Sequence, residues 1–229
     1  MPQHKFRIVA EAKITTMYVY DEIGPWGVTA NAMAEQLDTI RGDINLRINS
    51  PGGDVFDGLA MYNLLRNHRG QVTVDIDGWA ASAASVVAMA GDTINMAANS
   101  FLLIHQPWTV VGGNASDFRQ VADQLESIGV ALVDTYATRR GVDRRQVSAW
   151  VEEETLFSAA EAIDAGMVDV VTEDSAVMAS TDLSKFRNVP QRVLEQDAIW
   201  RQPIAAKSCK QTVSAAKRKR YLRQLSIRR

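Results

Sequence analysis

A serine hydroxyl lies at the junction between a predicted strand and a predicted helix in residues 78–84, which read Gly-Trp-Ala-Ala-Ser-Ala-Ala. The side chains around Ser82 are too small to cover its hydroxyl, and the dipole of a following helix would stabilise negative charge there. These features suit a nucleophile whose oxyanion is bound by the next backbone N–H group. Ser85 is equally eligible, and the same small residues are also typical of a helix that packs closely against its neighbours.

A serine nucleophile needs a general base, and the chain offers three histidines for that role. His4 lies near the N-terminus, and His68 belongs to the polar stretch 66–69 at the predicted end of a helix. His105 directly follows the apolar strand 101–104, and strand ends are where functional residues gather in α/β proteins. His105 is therefore the favoured base, although a histidine that only hydrogen-bonds at the edge of a sheet would show the same pattern.

Two consecutive glycines, Gly52 and Gly53, lie between a predicted strand and a predicted helix. Glycine permits a tight turn whose backbone N–H groups point outward, and the N-terminus of a helix favours an anion. The turn is thus suited to binding an oxyanion or another anionic group. A turn with a purely structural role fits the same residues.

The sequence contains no pattern that binds a metal ion or a nucleotide. No two histidines have the spacing of metal ligands, and neither a G-x-x-x-x-G-K-[ST] loop nor a G-x-G-x-x-G motif is present. Cys209 is the single cysteine, so the chain can form no internal disulfide and no cysteine-rich metal site. We therefore expect chemistry that uses no metal and no other cofactor.

Strands and helices alternate along the first three quarters of the chain, which indicates an α/β domain with a largely parallel sheet. Ser158 and Glu161 have the spacing of a capping box at the start of one of these helices. The predicted strands are residues 6–10, 14–20, 44–48, 72–76, 93–96, 101–104 and 167–171, and the predicted helices are residues 29–40, 55–65, 80–90, 115–139 and 159–165.

The longest predicted helix, residues 115–139, has two apolar faces. One continuous stripe consists of Phe118, Val121, Ala122, Leu125, Ile128, Leu132 and Tyr136, whereas Val130 and Val133 lie off it. Its own domain can bury one face, and a neighbouring subunit can bury the other. This helix is therefore the candidate element for oligomer formation.

The composition indicates a folded domain, since 46% of the residues are apolar and 23% are charged. The longest weakly polar run, residues 79–91, is far shorter than the roughly 20 residues that span a bilayer. The start of the chain alternates polar and apolar residues and does not resemble a signal peptide. We therefore expect a cytoplasmic protein with no membrane contact.

Charge is distributed unevenly along the chain. Ten of the 25 Lys and Arg residues lie in residues 201–229, which contain no acid, so residues 1–200 carry a charge of −12. This asymmetry indicates a domain over residues 1–173 and a linker with a basic tail over residues 174–229. The basic residues 201–229 are suited to an acidic protein surface or to the acidic body, and less to nucleic acid, because Tyr221 is the single aromatic residue of that range. A solvated tail without a partner fits the same composition.

Three motifs in one register resemble the ClpP serine peptidase family, and two closing segments are similar to the family as well. The motifs are Ile48-Asn49-Ser50-Pro51-Gly52-Gly53, Gly78-Trp79-Ala80-Ala81-Ser82 and Ile104-His105-Gln106-Pro107, and the closing segments are Ser158-Ala159-Ala160-Glu161-Ala162 and Gly166-Met167-Val168-Asp169. The resemblance covers residues 14–172. It implies a ClpP- and crotonase-like ββα spiral with a long handle helix, to which residues 174–229 add a basic C-terminal extension.

The resemblance also implies a role for each site residue. Ser82 matches the nucleophile, and His105 matches the residue that acts first as general base and then as general acid. The N–H groups of Gly53 and Ala83 match the oxyanion hole. The implied reaction is peptide hydrolysis through an acyl-enzyme.

The third catalytic residue of the family is usually an aspartate, and Glu154 stands at the matching position here. A glutamate can orient and charge-stabilise an imidazole, but its additional methylene changes its reach. Glu153 and Glu152 are the fallbacks for the same role.

The resemblance implies an extended polypeptide substrate that pairs with the backbone on both sides of the site, a mode that favours unfolded chain over particular sequences. The residues expected to contact it are Gly52, Gly53, Asp54 and Val55 on one side and Trp108, Thr109 and Val110 on the other.

Within the family, three segments look more like the branch of phage and prophage head maturation proteases. They are residues 18–27, residues 54–60, and residues 105–108 followed by 113–115. The resemblance then implies a homo-oligomeric ring, single or stacked, that processes capsid, scaffold or portal proteins in the bacterial host cytoplasm or the assembling prohead. The alternatives are a housekeeping proteolytic core that works with an ATPase unfoldase, a ring-forming scaffold whose site has decayed, and a crotonase-like acyl-CoA enzyme.

Overall fold

The computed structural model describes residues 7–11 and 14–173. The predictions on His4, Cys209 and the basic tail therefore lie outside the described residues. Within the described part, strands and helices alternate as the sequence predicts, and the α/β class is confirmed.

The described residues form eight strands and six helices. The strands are β1 (Arg7–Glu11), β2 (Ile14–Val19), β3 (Asp43–Ser50), β4 (Val72–Ala81), β5 (Thr93–Ala97), β6 (Phe101–Ile104), β7 (Thr155–Ser158) and β8 (Val170–Thr172), and the helices are α1 (Ala30–Leu37), α2 (Val55–Arg66), α3 (Ala83–Ala88), α4 (Ala115–Arg140), α5 (Arg144–Glu152) and α6 (Ala159–Asp164).

The sheet is largely parallel, as predicted. Its main path runs β1-β2-β3-β4-β5-β8, and β6 leaves this path because it pairs with the second half of β4 and with β7. The pairs β1–β2 and β6–β7 are antiparallel, whereas β2–β3, β3–β4, β4–β5, β4–β6 and β5–β8 are parallel. Parallel strands that are joined by helices bring their carboxyl ends to one edge, where functional residues collect.

Side chains alternate between the two faces of the central strands. The residues that point into the core are apolar and buried, among them Met17, Leu46 and Val74. The opposite face carries a row of polar residues in register across four strands, namely Tyr18, Arg47, Asp75 and Asn95. The period of two along each strand therefore places one face in the core and leaves the other partly exposed.

A buried carboxylate on the polar face is fully paired. Arg47 Nε donates a hydrogen bond of 2.8 Å to Asp77, and the Tyr20 hydroxyl donates to the same carboxylate. Asp77 is 3% exposed, so these partners are needed to hold its charge in the interior. Burial raises the pKa of Tyr20, and the bond to Asp77 acts in the same direction, so the phenol keeps its proton.

The predicted helix 80–90 is wrong at its start. β4 continues through Ala80 and Ala81, which pair with Leu102 and Leu103 of β6, and α3 begins only after Ser82. Alanine favours helices intrinsically, but pairing with a neighbouring strand overrides that preference. The strand predicted over 167–171 is likewise shorter, since β8 covers Val170–Thr172.

The long helix α4 matches its prediction within one residue. Asn114 and Asp117 form a capping box at its start, and Gly141 ends it in the left-handed conformation with φ 64°. The buried residues of α4 lie in its last third, whereas Phe118 and Val130 are each about half exposed. Full burial on α4 is therefore confined to its last third, within the described residues.

The sequence pattern does not predict two of the observed elements, α5 and β7. Asp143 caps α5 with its carboxylate, which accepts from the N–H groups of Arg145 and Gln146. α5 has nine residues and β7 has four. Neither the helical period of α5 nor the strand alternation of β7 therefore extends far enough to be recognised from the sequence. In the described ranges, no helix is both long and apolar enough to cross a membrane.

Candidate active site

Three strand ends meet at one edge of the sheet and carry the predicted catalytic residues. Ala81 of β4 pairs in parallel with Leu103 of β6, so Ser82 follows one strand and His105 follows the other within two residues of that pair. The antiparallel pair Ile104–Thr155 joins β6 to β7, so Glu154 lies beside the end of β6. The sheet register thus brings Ser82, His105 and Glu154 to the same edge.

Ser82 occupies the sharp turn between β4 and α3. Its φ of 54° and ψ of −127° are unusual for a residue other than glycine. Its N–H group donates a hydrogen bond of 3.0 Å to the Leu103 carbonyl, and its side chain forms no capping bond to α3. The hydroxyl is therefore not used in the helix cap, and the residue lines a cavity.

Ser85, the alternative nucleophile, lies differently. It is fully buried, and its Oγ donates to the Ser82 carbonyl oxygen over 2.5 Å. Its Oγ also lies 2.7 Å from the Tyr136 hydroxyl. Of the two serines, Ser82 is the one among the described residues that borders the cavity.

The imidazole of His105 is nearly buried, with 9% exposure. Burial lowers the pKa of His105, while the charge of Glu154 and a backbone hydrogen bond at Gln106 raise it in part. The net shift is downward. A neutral imidazole, which can accept a proton, is therefore the dominant form at neutral pH.

Glu154 is the one of the three consecutive glutamates whose charge acts on His105. It is partly buried and has a φ of 54°, which turns the chain from α5 into β7. Glu152 and Glu153 are both exposed at the end of α5, where Glu152 accepts a hydrogen bond of 3.4 Å from Ser148 Oγ. Position thus distinguishes Glu154 from the two fallbacks.

The glycine turn lies directly against the Ser82 turn. Gly52 has a φ of 83°, and a Cβ atom there would lie 2.4 Å from the Ala81 carbonyl oxygen and 2.7 Å from Ser82 Cβ. Gly53 has a φ of 145°, and a Cβ atom there would lie 2.1 Å from the Ile23 carbonyl oxygen. Both positions therefore exclude any side chain.

Two backbone N–H groups at these turns are available to a ligand. The hydrogen bonds of the described residues leave the N–H groups of Gly53 and Ala83 without a partner, whereas the N–H of Gly52 donates to Ser50 Oγ over 3.1 Å. Gly53 and Ala83 both line the cavity. Two free donors beside a serine hydroxyl can stabilise an oxyanion.

A cavity of about 1400 Å³ extends from these turns to one face of α4. Among the residues expected to contact substrate, Gly52, Asp54, Val55, Trp108 and Thr109 line it together with Gly53. Val110 does not line it and is 87% exposed, because the loop after β6 continues into solvent there.

Several residues that line this cavity are not assigned to a site by their sequence pattern. Asn49 is 6% exposed, and its Oδ1 atom has no hydrogen-bond partner in the described part of the chain. The apolar stripe of α4, predicted as a packing face, supplies Val121, Leu125, Ile128 and Leu132 to the wall of the cavity. Within residues 7–11 and 14–173, no cluster of three His, Cys, Asp or Glu side chains could hold a metal ion.

The sequence matches the Clp protease family over residues 13–175, and the chain therefore belongs to this family. It is a peptidase of ClpP type. A similar protein is the ATP-dependent Clp protease proteolytic subunit 1 of Streptomyces avermitilis, which is 32% identical over 155 residues, or 67% of this chain and 71% of the relative. The predicted resemblance to the ClpP family is confirmed, whereas the phage branch stays a prediction.

Proposed function

We propose that the protein is a serine endopeptidase that cleaves extended polypeptide through an acyl-enzyme. The observation that carries this proposal is the sheet register that brings Ser82, His105 and Glu154 to one edge beside a cavity. Membership of the Clp protease family supports the same conclusion.

In the first half of the reaction, His105 accepts the proton of Ser82 Oγ as this oxygen attacks the scissile carbonyl carbon. The carbonyl oxygen becomes an oxyanion, which accepts hydrogen bonds from the N–H groups of Gly53 and Ala83. His105 then donates the proton to the departing amine, and the peptide C–N bond breaks. The acyl group is left on Ser82.

In the second half of the reaction, water attacks the acyl-enzyme and His105 accepts its proton. The same two N–H groups stabilise the second oxyanion, and the proton returns to Ser82 Oγ as the ester bond breaks. Glu154 stabilises the imidazolium that forms in each half, which is consistent with its effect on the pKa of His105.

The substrate lies extended in the cavity, between the Gly53–Val55 segment and the loop at Trp108 and Thr109. The loop at Trp108 and Thr109 belongs to no strand of the described sheet, so its backbone can pair with a substrate, and the Gly53 N–H has no partner among the described hydrogen bonds. Such backbone pairing makes binding independent of most side chains. Phe56 and Trp108 are 65% and 63% exposed at the cavity, so they offer apolar contacts to the substrate. The partner in this proposal is therefore an unfolded polypeptide.

The protein acts as a homo-oligomeric ring that α4 joins to neighbouring subunits. The exposed apolar residues Phe118 and Val130 on this helix support an interface between copies. A ring would enclose the cavities of several subunits and restrict access to unfolded chain.

We infer that the substrates are phage structural proteins that assemble with the enzyme, on the basis of the three sequence segments that resemble head maturation proteases. The second candidate is a proteolytic core that depends on an ATPase, and the similarity to the Streptomyces avermitilis subunit supports it. Degradation of a folded substrate only after addition of ATP and an unfoldase would favour the second role. Cleavage of co-expressed capsid or scaffold protein without ATP would favour the first.

Labelling with a fluorophosphonate, followed by intact mass measurement, tests the serine mechanism directly. We expect one adduct on the parent protein and none on Ser82→Ala. An oligomeric, folded parent that forms no adduct would contradict the proposal and favour the scaffold. Turnover of an acyl-CoA thioester without peptide cleavage would favour the crotonase-like alternative.

A further inference from the structure

Two buried hydroxyl groups connect α4 to the turn that holds Ser82, and neither has a part in the mechanism above. Ser85 of α3 is fully buried, and Tyr136 of α4 is 1% exposed. Their oxygen atoms lie 2.7 Å apart, and Ser85 Oγ lies 2.5 Å from the Ser82 carbonyl oxygen. Tyr136, Ser85 and the Ser82 carbonyl thus form a continuous hydrogen-bonded chain.

Each hydroxyl group carries one hydrogen atom, and this fixes the direction of the hydrogen bonds between Tyr136, Ser85 and the Ser82 carbonyl. A carbonyl oxygen can only accept, so Ser85 Oγ–H donates to Ser82, and the Tyr136 hydroxyl must donate to Ser85 Oγ. Burial raises the pKa of Tyr136, which keeps the proton that this arrangement requires. The Ser85 N–H group donates to the same carbonyl over 3.0 Å, so the Ser82 carbonyl accepts two hydrogen bonds.

These bonds act on the peptide group that carries the Ala83 N–H. The Ser82 carbonyl and the Ala83 N–H belong to one planar trans peptide unit, in which the two groups point in opposite directions. Fixing the carbonyl toward Ser85 therefore fixes the N–H toward the cavity side of the turn. Ser82 has a backbone conformation that few residues adopt, so local preference does not fix the orientation of this peptide plane. Its orientation depends on contacts with the surrounding residues.

We propose that Ser85 and Tyr136 are positioning residues that orient the Ala83 N–H group toward the oxyanion formed on the substrate. The inference rests on the proposed serine mechanism. Hydrogen bonds to the carbonyl also polarise the peptide group, which makes its N–H a stronger donor. Their effect is largest in the transition state, where the substrate oxygen carries charge, and small for the neutral substrate.

The first test compares Ser85→Ala with Ser100→Ala in the full-length protein. Ser100 is a matched control, because it is 1% exposed and its Oγ donates to the carbonyl three residues earlier over 2.7 Å, away from the site. We expect Ser85→Ala to lower kcat about tenfold and to leave KM within about twofold of the parent value. This loss of kcat is smaller than the roughly 100-fold or greater loss that follows deletion of an oxyanion-hole donor. Ser100→Ala keeps the kcat and KM of the parent.

The second test separates positioning from a loss of packing. Ser85→Ala leaves the Tyr136 hydroxyl buried without a partner, whereas the double variant Ser85→Ala/Tyr136→Phe removes both hydroxyls and avoids that cost. We expect the double variant to fold like the parent and to retain the low kcat of Ser85→Ala. Tyr136→Phe alone lowers kcat by a smaller factor of about three, because Ser85 still bonds to the carbonyl.

A peptidyl boronate gives a readout that a structural role would not change. It forms a tetrahedral, anionic adduct with a serine and so reports on the oxyanion hole. Its affinity falls by the same factor as kcat/KM in the Ser85→Ala variant. An uncleaved peptide binds equally to Ser82→Ala with and without the Ser85→Ala change, because this complex contains no oxyanion.

Parent-like kcat and boronate affinity in the folded double variant would overturn the role of Ser85 and Tyr136. A raised KM with unchanged kcat would overturn it as well, since that result places the effect on ground-state binding. Turnover that persists in Ser82→Ala would instead overturn the serine mechanism itself, so the two failures are distinguishable.

Discussion

Glu154 lies across the β6–β7 pair from His105, and the two residues have a direct electrostatic relationship. Burial lowers the pKa of His105, and the negative charge of Glu154 opposes that effect. The carboxylate thus lowers the cost of protonating a buried imidazole. A general base must accept a proton in each half of the reaction, so this effect matters twice in each cycle.

The acidic limb of the pH–rate profile is the first prediction. Activity falls as pH decreases through the pKa of His105, which lies below the ordinary histidine value near 6.5, because the protonated ring cannot accept a proton. In Glu154→Gln the opposing charge is lost, so the limb shifts to still lower pH while kcat at neutral pH falls about tenfold or more. Measurement of both kcat and kcat/KM between about pH 4 and 9 checks both changes.

Glu152→Gln is the matched control for that experiment, since it removes a neighbouring exposed carboxylate. It retains the profile and the rate of the parent. A Glu154→Gln enzyme that is indistinguishable from the parent would show that Glu154 is not the third catalytic residue.

Substitutions of Ser82 are expected to separate catalysis from stability. Both Ser82→Ala and Ser82→Gly lose turnover, because both lack the hydroxyl. Glycine tolerates the positive φ of this position, so Ser82→Gly is more stable than Ser82→Ala by about 1 kcal/mol. Urea unfolding at equal protein concentration measures the difference, and a less stable glycine variant would contradict the strain at this turn.

Gly52→Ala is expected to damage the site although it adds only a methyl group. The new Cβ would collide with the Ala81 carbonyl oxygen and with the Ser82 turn, and the φ of 83° is unfavourable for alanine. We expect a loss of about 2 kcal/mol in the free energy of unfolding and a kcat at least tenfold lower. Gly112→Ala, where nothing lies within 4 Å of the added atom, retains both values.

A charge on the exposed part of α4 is expected to disrupt assembly. Val130 is 51% exposed on this helix, and burying a glutamate against a neighbouring subunit would be costly. Val130→Glu therefore shifts the protein to smaller species in sedimentation velocity, whereas Ile163→Glu on α6, at a residue of 39% exposure, does not. If Val130→Glu sediments like the parent protein, the exposed part of α4 around Val130 does not belong to the interface.

The sequence was informative where its periodicity was long. The alternation of strands and helices, the capping of α4 by Asn114 and the turn at Gly52 all follow from local residue types. Ala80 and Ala81 are predicted as helix because alanines carry no strand signal, whereas their pairing with β6 is a long-range property.

Parts of the candidate site can be located from local sequence, and other parts cannot. His105 directly follows a strand that can be read from the chain, and Ser82 is recognisable by its small neighbours although the predicted helix 80–90 includes it. Three consecutive glutamates, in contrast, offer no local criterion for choosing among them. The family resemblance points to Glu154, and the register of β7 against β6 separates it from Glu152 and Glu153. The bond between Ser85 and Tyr136 joins residues that are 51 positions apart, so no local pattern reveals it.

The order of the strands has a consequence for biosynthesis. β7, which brings Glu154 to His105, is synthesised about 50 residues after β6, and the whole of α4 and α5 lies between them. The pairing of β6 with β7 therefore cannot form until Thr155–Ser158 has left the ribosome. A nascent chain that already carries Ser82 and His105 therefore has no Glu154 beside His105 until α4 and α5 have both been synthesised.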